Sequence, residues 1–142
     1  MSNAHDLTGR VAIVTGAAGG IGSAIATELA ERGALVAGWD LAGRESGSDD
    51  VTPIDVDVTS GKSVREAFVS TTDTLGAVSI VVNNAGVDVI APFLDTDEDD
   101  WNRIIAVNLH GVFNVCRAVL PSMIAQRETQ PDASATIVNE RQ

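Results

Sequence analysis

A chain of 142 residues, 44% hydrophobic and 20% charged, is long enough to bury one core and too short for two full domains. A formal net charge of −11, with nine Lys and Arg against 20 Asp and Glu, excludes nucleic acid and anionic membranes as partners, because neutralising phosphates requires clustered cations. No continuous apolar run reaches the roughly 18 residues that span a bilayer, the start Met1–Asp6 lacks a secretory pattern, and the single cysteine, Cys116, forbids an internal disulfide, which together point to the cytoplasm.

Val11–Thr15 is a short apolar run ending at glycine, the pattern of a strand buried on both faces. Beyond the glycines, Ile21, Ala24, Ile25 and Leu29 recur at helical spacing, and Arg32-Gly33 stops that helix. Ala34–Trp39 reads as a second strand, Leu41–Asp50 as a loop, and Val51–Val58 as a third strand whose Pro53 suits a sheet edge. Thr59 or Ser60 caps a helix to about Thr74 that turns Val64, Ala67 and Phe68 inward. Val78–Val82 is a fourth strand ending at Asn83-Asn-Ala-Gly86. A long helix follows from near Asp97 to Pro121 or slightly beyond, with Trp101, Ile104, Ile105, Val112 and Val115 on its apolar face, and Thr136–Asn139 is a fifth strand. The acidic run Asp95–Asp100 reads as the first turn of that helix, where carboxylates complement the dipole, and no metal site is expected. Strands alternating with helices imply an α/β fold: a Rossmann-like, doubly wound parallel sheet with helices on both faces, truncated after the fifth strand.

The most informative stretch is Thr15-Gly-Ala-Ala-Gly-Gly-Ile-Gly22. Glycines between a buried strand and a helix leave unpaired N–H groups and a positive dipole end facing a pyrophosphate. Gly16 permits the turn, Gly20 the approach of phosphate, and Gly22 the packing of helix on strand. Asp40, eighteen positions after Gly22 at the end of the second strand, suits adenosine ribose hydroxyls and repels a 2′-phosphate, favouring NAD over NADP. Arg44 is the opposing feature, read as a solvated loop residue.

With these motifs the sequence resembles the short-chain dehydrogenase/reductase family. Thr15-Gly16-x-x-x-Gly20-x-Gly22 matches its cofactor signature and Asn83-Asn84-Ala85-Gly86 its second signature after strand four. The resemblance implies that Ala18, Gly19, Ile21, Leu41, Asn84, Ala85, Gly86 and Val107 line a nicotinamide cofactor, and that Asp57-Val58 sits against its adenine. Asn108 matches the asparagine of an Asn, Ser, Tyr, Lys catalytic tetrad. Trp39 and Trp101 read as packing residues, Trp39 near the adenosine; Cys116 reads as a small core residue; and His110 is expected to point away from Asn108.

The resemblance covers residues 7 to 139 and then fails, since Glu140-Arg-Gln142 is a polar tail where the family continues to its catalytic serine and Tyr-x-x-x-Lys. The chain has no tyrosine, and its one lysine, Lys62, lies on an early helix. Residues 1–142 are thus expected to be a single NAD(P)-binding domain, incomplete at its C-terminus. The resemblance implies that they belong to an oxidoreductase acting on an alcohol or ketone, expected to be inactive alone for want of a proton donor. The alternative is a catalytically inactive NAD-binding or protein-interaction module. An unpaired fifth strand and exposed helix surface would make the isolated chain marginally stable or drive copies of it together into a homo-oligomer; a sharp, concentration-independent thermal transition of a monomer would contradict this.

Overall fold

Val11–Thr15 forms β1, buried along its whole length, because it is the central strand of a five-stranded parallel sheet of order β3-β2-β1-β4-β5. The structure, a computed structural model, describes residues 5–44 and 47–140. Met1–Ala4, the centre of the expected Leu41–Asp50 loop and the tail beyond Glu140 lie outside the described residues. The other strands are β2 (Leu35–Asp40), β3 (Val51–Asp55), β4 (Val78–Asn83) and β5 (Thr136–Asn139).

Strand alternation sends Val11 and Ile13 to one face and Ala12 and Val14 to the other. On the second face α1 (Gly20–Glu31) packs through buried Ala26 and partly buried Ile25 and Leu29, against small residues such as Ala12, Ala17 and Ala34. On the first, α2 (Gly61–Leu75) contributes Val64 and Ala67, and α4 (Gly111–Thr129) contributes Val115, Val119 and Met123. Both faces are therefore covered, as an apolar parallel sheet demands.

A register shift lies between Val11 and Ala12, whose partners are Val78 and Ile80, so Ser79 is the extra residue. Arg10 fills the irregularity: its Nε donates to Ser79 Oγ at 3.1 Å and its guanidinium to the carbonyls of Ser79 and Ser134. One side chain thus ties the start of β1 to β4 and to the segment that leads into β5.

β3 ends at Asp55, three residues short of the expected Val58, because the chain turns there: the Val56 N–H bonds the Asp40 carbonyl and Asp57 opens a new turn. Pro53 lies on this edge strand opposite Gly38, where its missing donor is harmless. Ser60 caps α2 by accepting the Ser63 N–H at 3.2 Å.

The long helix starts where expected and then departs from expectation in two ways. It begins as α3 (Glu98–Ile105), with Asp97 accepting the Asp100 N–H at 2.8 Å, which accounts for the acidic run. It then widens into a π turn, Ala106–His110, before α4. It also passes through Pro121 to Thr129. Pro121 and Arg117 are both exposed, so the bond that proline removes is lost on the wet side. Beyond it, buried Met123 and a Gln126 Nε2 bond to the Val78 carbonyl at 3.1 Å hold the continuation on the sheet.

Trp101 does not pack in the core but is 54% exposed, because α3 projects past the sheet and contributes no buried residue. On α4, Phe113, Leu120 and Ile124 form an exposed stripe opposite the buried one. The run Glu98–Thr129 holds an 18-residue window of mean hydropathy 1.4, long and apolar enough by length and composition to cross a membrane. In this fold the apolar content of that run is divided between the sheet and the exposed stripe.

Trp39 is fully buried at the centre of the first face, and its Nε1 donates to Thr71 Oγ1 at 2.9 Å while that hydroxyl donates to the Ala67 carbonyl. Thr71→Val keeps the volume but leaves the indole donor unpaired, so a loss of about 1–3 kcal/mol is expected in urea unfolding. A change within error would mean that Trp39 holds its place by packing alone.

Candidate functional site at the carboxyl ends of β1 and β4

The sheet order reverses between β1 and β4: from β1 the chain runs outward through β2 to β3, then returns to the other side for β4 and β5. A crevice outside the carboxyl ends of the strands is expected at such a switch point. A cleft of about 340 Å³ lies there, lined by the Gly16–Gly22 turn, the end of β2, the β3–α2 connection, Asn84–Val87 and Val107.

Thr15 and Asn84 join the two sides. The Thr15 hydroxyl accepts the N–H groups of Asn84 and Ala85 at 3.0 and 2.9 Å, while Asn84 Nδ2 donates to the carbonyls of Thr15 and Gly16 at 3.1 and 3.3 Å. Gly16 turns at φ +66°, and a Cβ there would press on Ala85 Cα and Asn84 Nδ2, both at 3.0 Å. A Cβ on Gly22 would collide with the Gly16 carbonyl and lie 2.5 Å from Asn84 Nδ2. Both glycines are thus required by the protein's own packing.

Gly20 differs. It lines the cleft, yet a Cβ on it would meet no protein atom within 4 Å. Gly19 is the N-cap of α1, no side chain caps that end and no carboxylate sits in its first turn, so its N–H groups and dipole present an anion-receptive surface to the cleft. Ile21, which shares the helical spacing of Ile25 and Leu29 but which the resemblance puts at the cofactor, is 64% exposed and lines the cleft, since Gly22 and Ala26 are the residues that face the sheet.

At the end of β2, Asp40 takes the Ala18 N–H on Oδ2 at 2.9 Å and the Leu41 N–H on Oδ1 at 2.8 Å. Its carboxylate therefore anchors the glycine turn as well as facing the cleft. Arg44 approaches Asp40 Oδ1 at 4.0 Å, with its own side chain 66% exposed, a pairing worth little in water. In the β3–α2 connection Asp57 Oδ1 accepts the Thr59 N–H and hydroxyl at 2.9 and 2.6 Å, leaving Oδ2 without a bond among the described residues.

On the opposite lip, Asn108 sits in the π turn, half-buried, and makes a paired contact with one residue: Oδ1 accepts the Val87 N–H and Nδ2 donates to the Val87 carbonyl, each at 2.8 Å. That answers where the amide's partners are. A π turn in a helix often marks a functional position. His110 is exposed, and Cys116, half-buried, lies 3.7 Å from Asn83 Nδ2.

Of the residues expected to hold a cofactor, Gly16, Gly19, Gly20, Ile21, Gly22, Asp40, Leu41, Asp57, Val58, Asn84, Ala85, Gly86 and Val107 all line the cleft. Ala18 does not; its N–H is spent on Asp40. Asn108 stays behind the lip it fixes. Val56, Thr59 and Val87 line the cleft without having been singled out; of these, Thr59 was legible in Asp57-Val-Thr59, a sequence that closes an Asx turn.

Residues 10–139 match the family model described as short chain dehydrogenase. The chain is 39% identical over 131 residues to the 3-oxoacyl-(acyl-carrier-protein) reductase FabG of Vibrio cholerae, covering 87% of this chain and 53% of that protein. It is 38% identical over 130 residues to the oxidoreductase UcpA of Salmonella typhimurium, covering 86% and 49%. The ligand-free aldohexose dehydrogenase of Thermoplasma acidophilum superposes with a TM-score of 0.82 at 32% identity, over 94% of this chain and 49% of that one. The chain spans about half the length of the relatives it matches. Cofactor signature, switch-point cleft and sequence relatives converge, and the chain belongs to the short-chain dehydrogenase/reductase family of nicotinamide-dependent oxidoreductases.

Proposed function

We propose that this chain is the cofactor-binding portion of an NAD-dependent oxidoreductase that interconverts an alcohol and a ketone. The observation that carries the reading is Gly20: no neighbour in the protein requires a glycine there, yet a side chain would occupy the mouth of the cleft beside the uncapped end of α1. A pyrophosphate seated on those N–H groups supplies the requirement. Asp40 and Asp57 lie on the adenosine side, and Gly86, Val87 and Val107 border the nicotinamide side. When bound, the nicotinamide ring exchanges a hydride with substrate. The chain's own residues orient the cofactor: Thr15 and Asn84 fix the floor, Asp40 holds the glycine turn and accepts from the ribose, and Asn108 sets the Val87 lip.

A second reading, a binding module without turnover, is supported by the absence of tyrosine from these 142 residues and by the position of Lys62 on α2, paired with Glu66 at 3.7 Å. Both readings share the same cofactor site.

Two glycine variants separate ligand from scaffold. Gly20→Ala is expected to keep or slightly raise stability, by up to about 1 kcal/mol, as alanine is the better helix former, while weakening NAD about tenfold or more. Gly22→Ala is expected to lower stability by about 1–3 kcal/mol through overpacking. Unchanged NAD titration in Gly20→Ala would sink the proposed site.

Cofactor choice is tested on the unmodified protein: NAD is expected to bind about tenfold or more tighter than NADP, because Asp40 repels a 2′-phosphate. Equal or tighter NADP binding, abolished by Arg44→Ala, would instead make Arg44 the partner of that phosphate.

A further inference from the structure

The β3–α2 connection, residues 56–60, forms the wall of the cleft opposite the glycine turn, and most of its hydrogen bonds are local. Asp57 closes on Thr59, its own N–H is taken by Ser63 Oγ at 3.0 Å, and the Ser60 N–H bonds the Asp57 carbonyl at 3.0 Å. At its start the connection is tied to β2 by the Val56 N–H, which bonds the Asp40 carbonyl at 2.8 Å, and the Val56 and Val58 side chains are buried in the core. Among the described residues one side chain from a distant element bonds this connection: Asn114 of α4, whose Nδ2 donates to the Val58 carbonyl at 2.8 Å across 56 positions of sequence.

Two glycines flank that contact. Gly111, one turn earlier on α4, lies against the Val58 side chain, where an added Cβ would come within 2.9 Å of Val58 Cγ2. Gly61, the first residue of α2, lies beside the Asn114 carboxamide, whose Oδ1 would stand in ordinary contact, 3.6 Å, with a Cβ there. Asn114 itself does not line the cleft.

Resting on the cofactor reading above, we infer that Asn114 is a positioning residue for the adenosine half of the site: it sets the depth of the Asp57–Val58 wall against which the base packs. Asn108 performs the matching task at the other end, through Val87, so one helical run fixes both lips with two carboxamides placed on either side of the π turn's end. The two lips then respond independently to substitution, each through its own amide.

Asn114→Asp is the direct test, because it keeps the shape between Gly61 and Gly111 and replaces the donor by an oxygen facing the Val58 carbonyl. Binding of ADP-ribose and of nicotinamide mononucleotide to the complete protein would be followed by NMR titration. ADP-ribose is expected to weaken about five- to tenfold, the loss of one hydrogen bond, with nicotinamide mononucleotide unchanged and NAD weakened by the same factor as ADP-ribose. Asn114→Leu, which removes the donor without adding charge, is expected to give the same selectivity. Unchanged ADP-ribose affinity in both variants, or equal weakening of both fragments, would overturn the inference. Failure of the unmodified protein to bind ADP-ribose would overturn the cofactor reading instead.

Discussion

The cleft depends on one constraint: two parallel strands that part company at their carboxyl ends must be held together there by something other than strand pairing. Thr15 and Asn84 supply it with four hydrogen bonds, two into a hydroxyl and two from a carboxamide, between residues only 1% and 6% exposed. Individually such bonds contribute about 0.5–1.5 kcal/mol net, but leaving any of these buried groups unpaired would cost more. The arrangement therefore tolerates little relaxation. It also forces the glycines: with Asn84 reaching across to the Gly16 carbonyl, neither Gly16 nor Gly22 has room for a Cβ. The glycine pattern around this cleft is thus partly a consequence of how the sheet is closed, before any ligand is considered.

Sequence periodicity located β1, β2 and β4 well because these strands are buried on both faces, whereas the half-exposed β3 ends three residues before its expected limit. β1 and β5 fall where the apolar runs predict, and the cap of α2 was legible in Ser60. Errors arise where tertiary contacts override local propensity. Pro121 signals a helix end, but Met123 and Gln126 beyond it find partners on the sheet, and that packing outweighs one lost backbone bond. Trp101 has the spacing of a core residue on a helix that extends beyond the core. Ile21 has the spacing of a buried residue, yet the helix face is set by Gly22, whose position is dictated from outside the helix by Gly16 and Asn84. The π turn has no signature in the sequence; it reconciles the rotation of α3 with that of α4 while Asn108 keeps both bonds to Val87.

The same logic governs the site residues. Those bound by a short motif, such as the glycines and Asn84–Gly86, could be read directly, because the motif encodes adjacent backbone geometry. Those that act through a distant partner could not. Asp40 was legible as a carboxylate at a strand end, but its bond to the Ala18 N–H joins residues 22 positions apart and appears only once β2 lies beside β1. Asn114 gives no signal at all in the chain, since Val58 is 56 positions away.

Asparagine recurs at these joints for a chemical reason. A carboxamide offers a donor and an acceptor a short distance apart on a short, stiff stem, so it can replace a missing strand neighbour at a carbonyl, an N–H or both. Asn84 does so for the end of β1, Asn108 for Val87 and Asn114 for Val58. An aspartate in these places would bring a charge into a buried setting and lose the donor; a serine would lack the reach. The lips of the cleft are loops without regular pairing of their own, and the fold obtains their rigidity from side chains on helices and strands that are already fixed by the core. The shape of the cleft is therefore inherited from the packing of α4 and β1, in part through Asn108 and Asn114, which do not themselves line it.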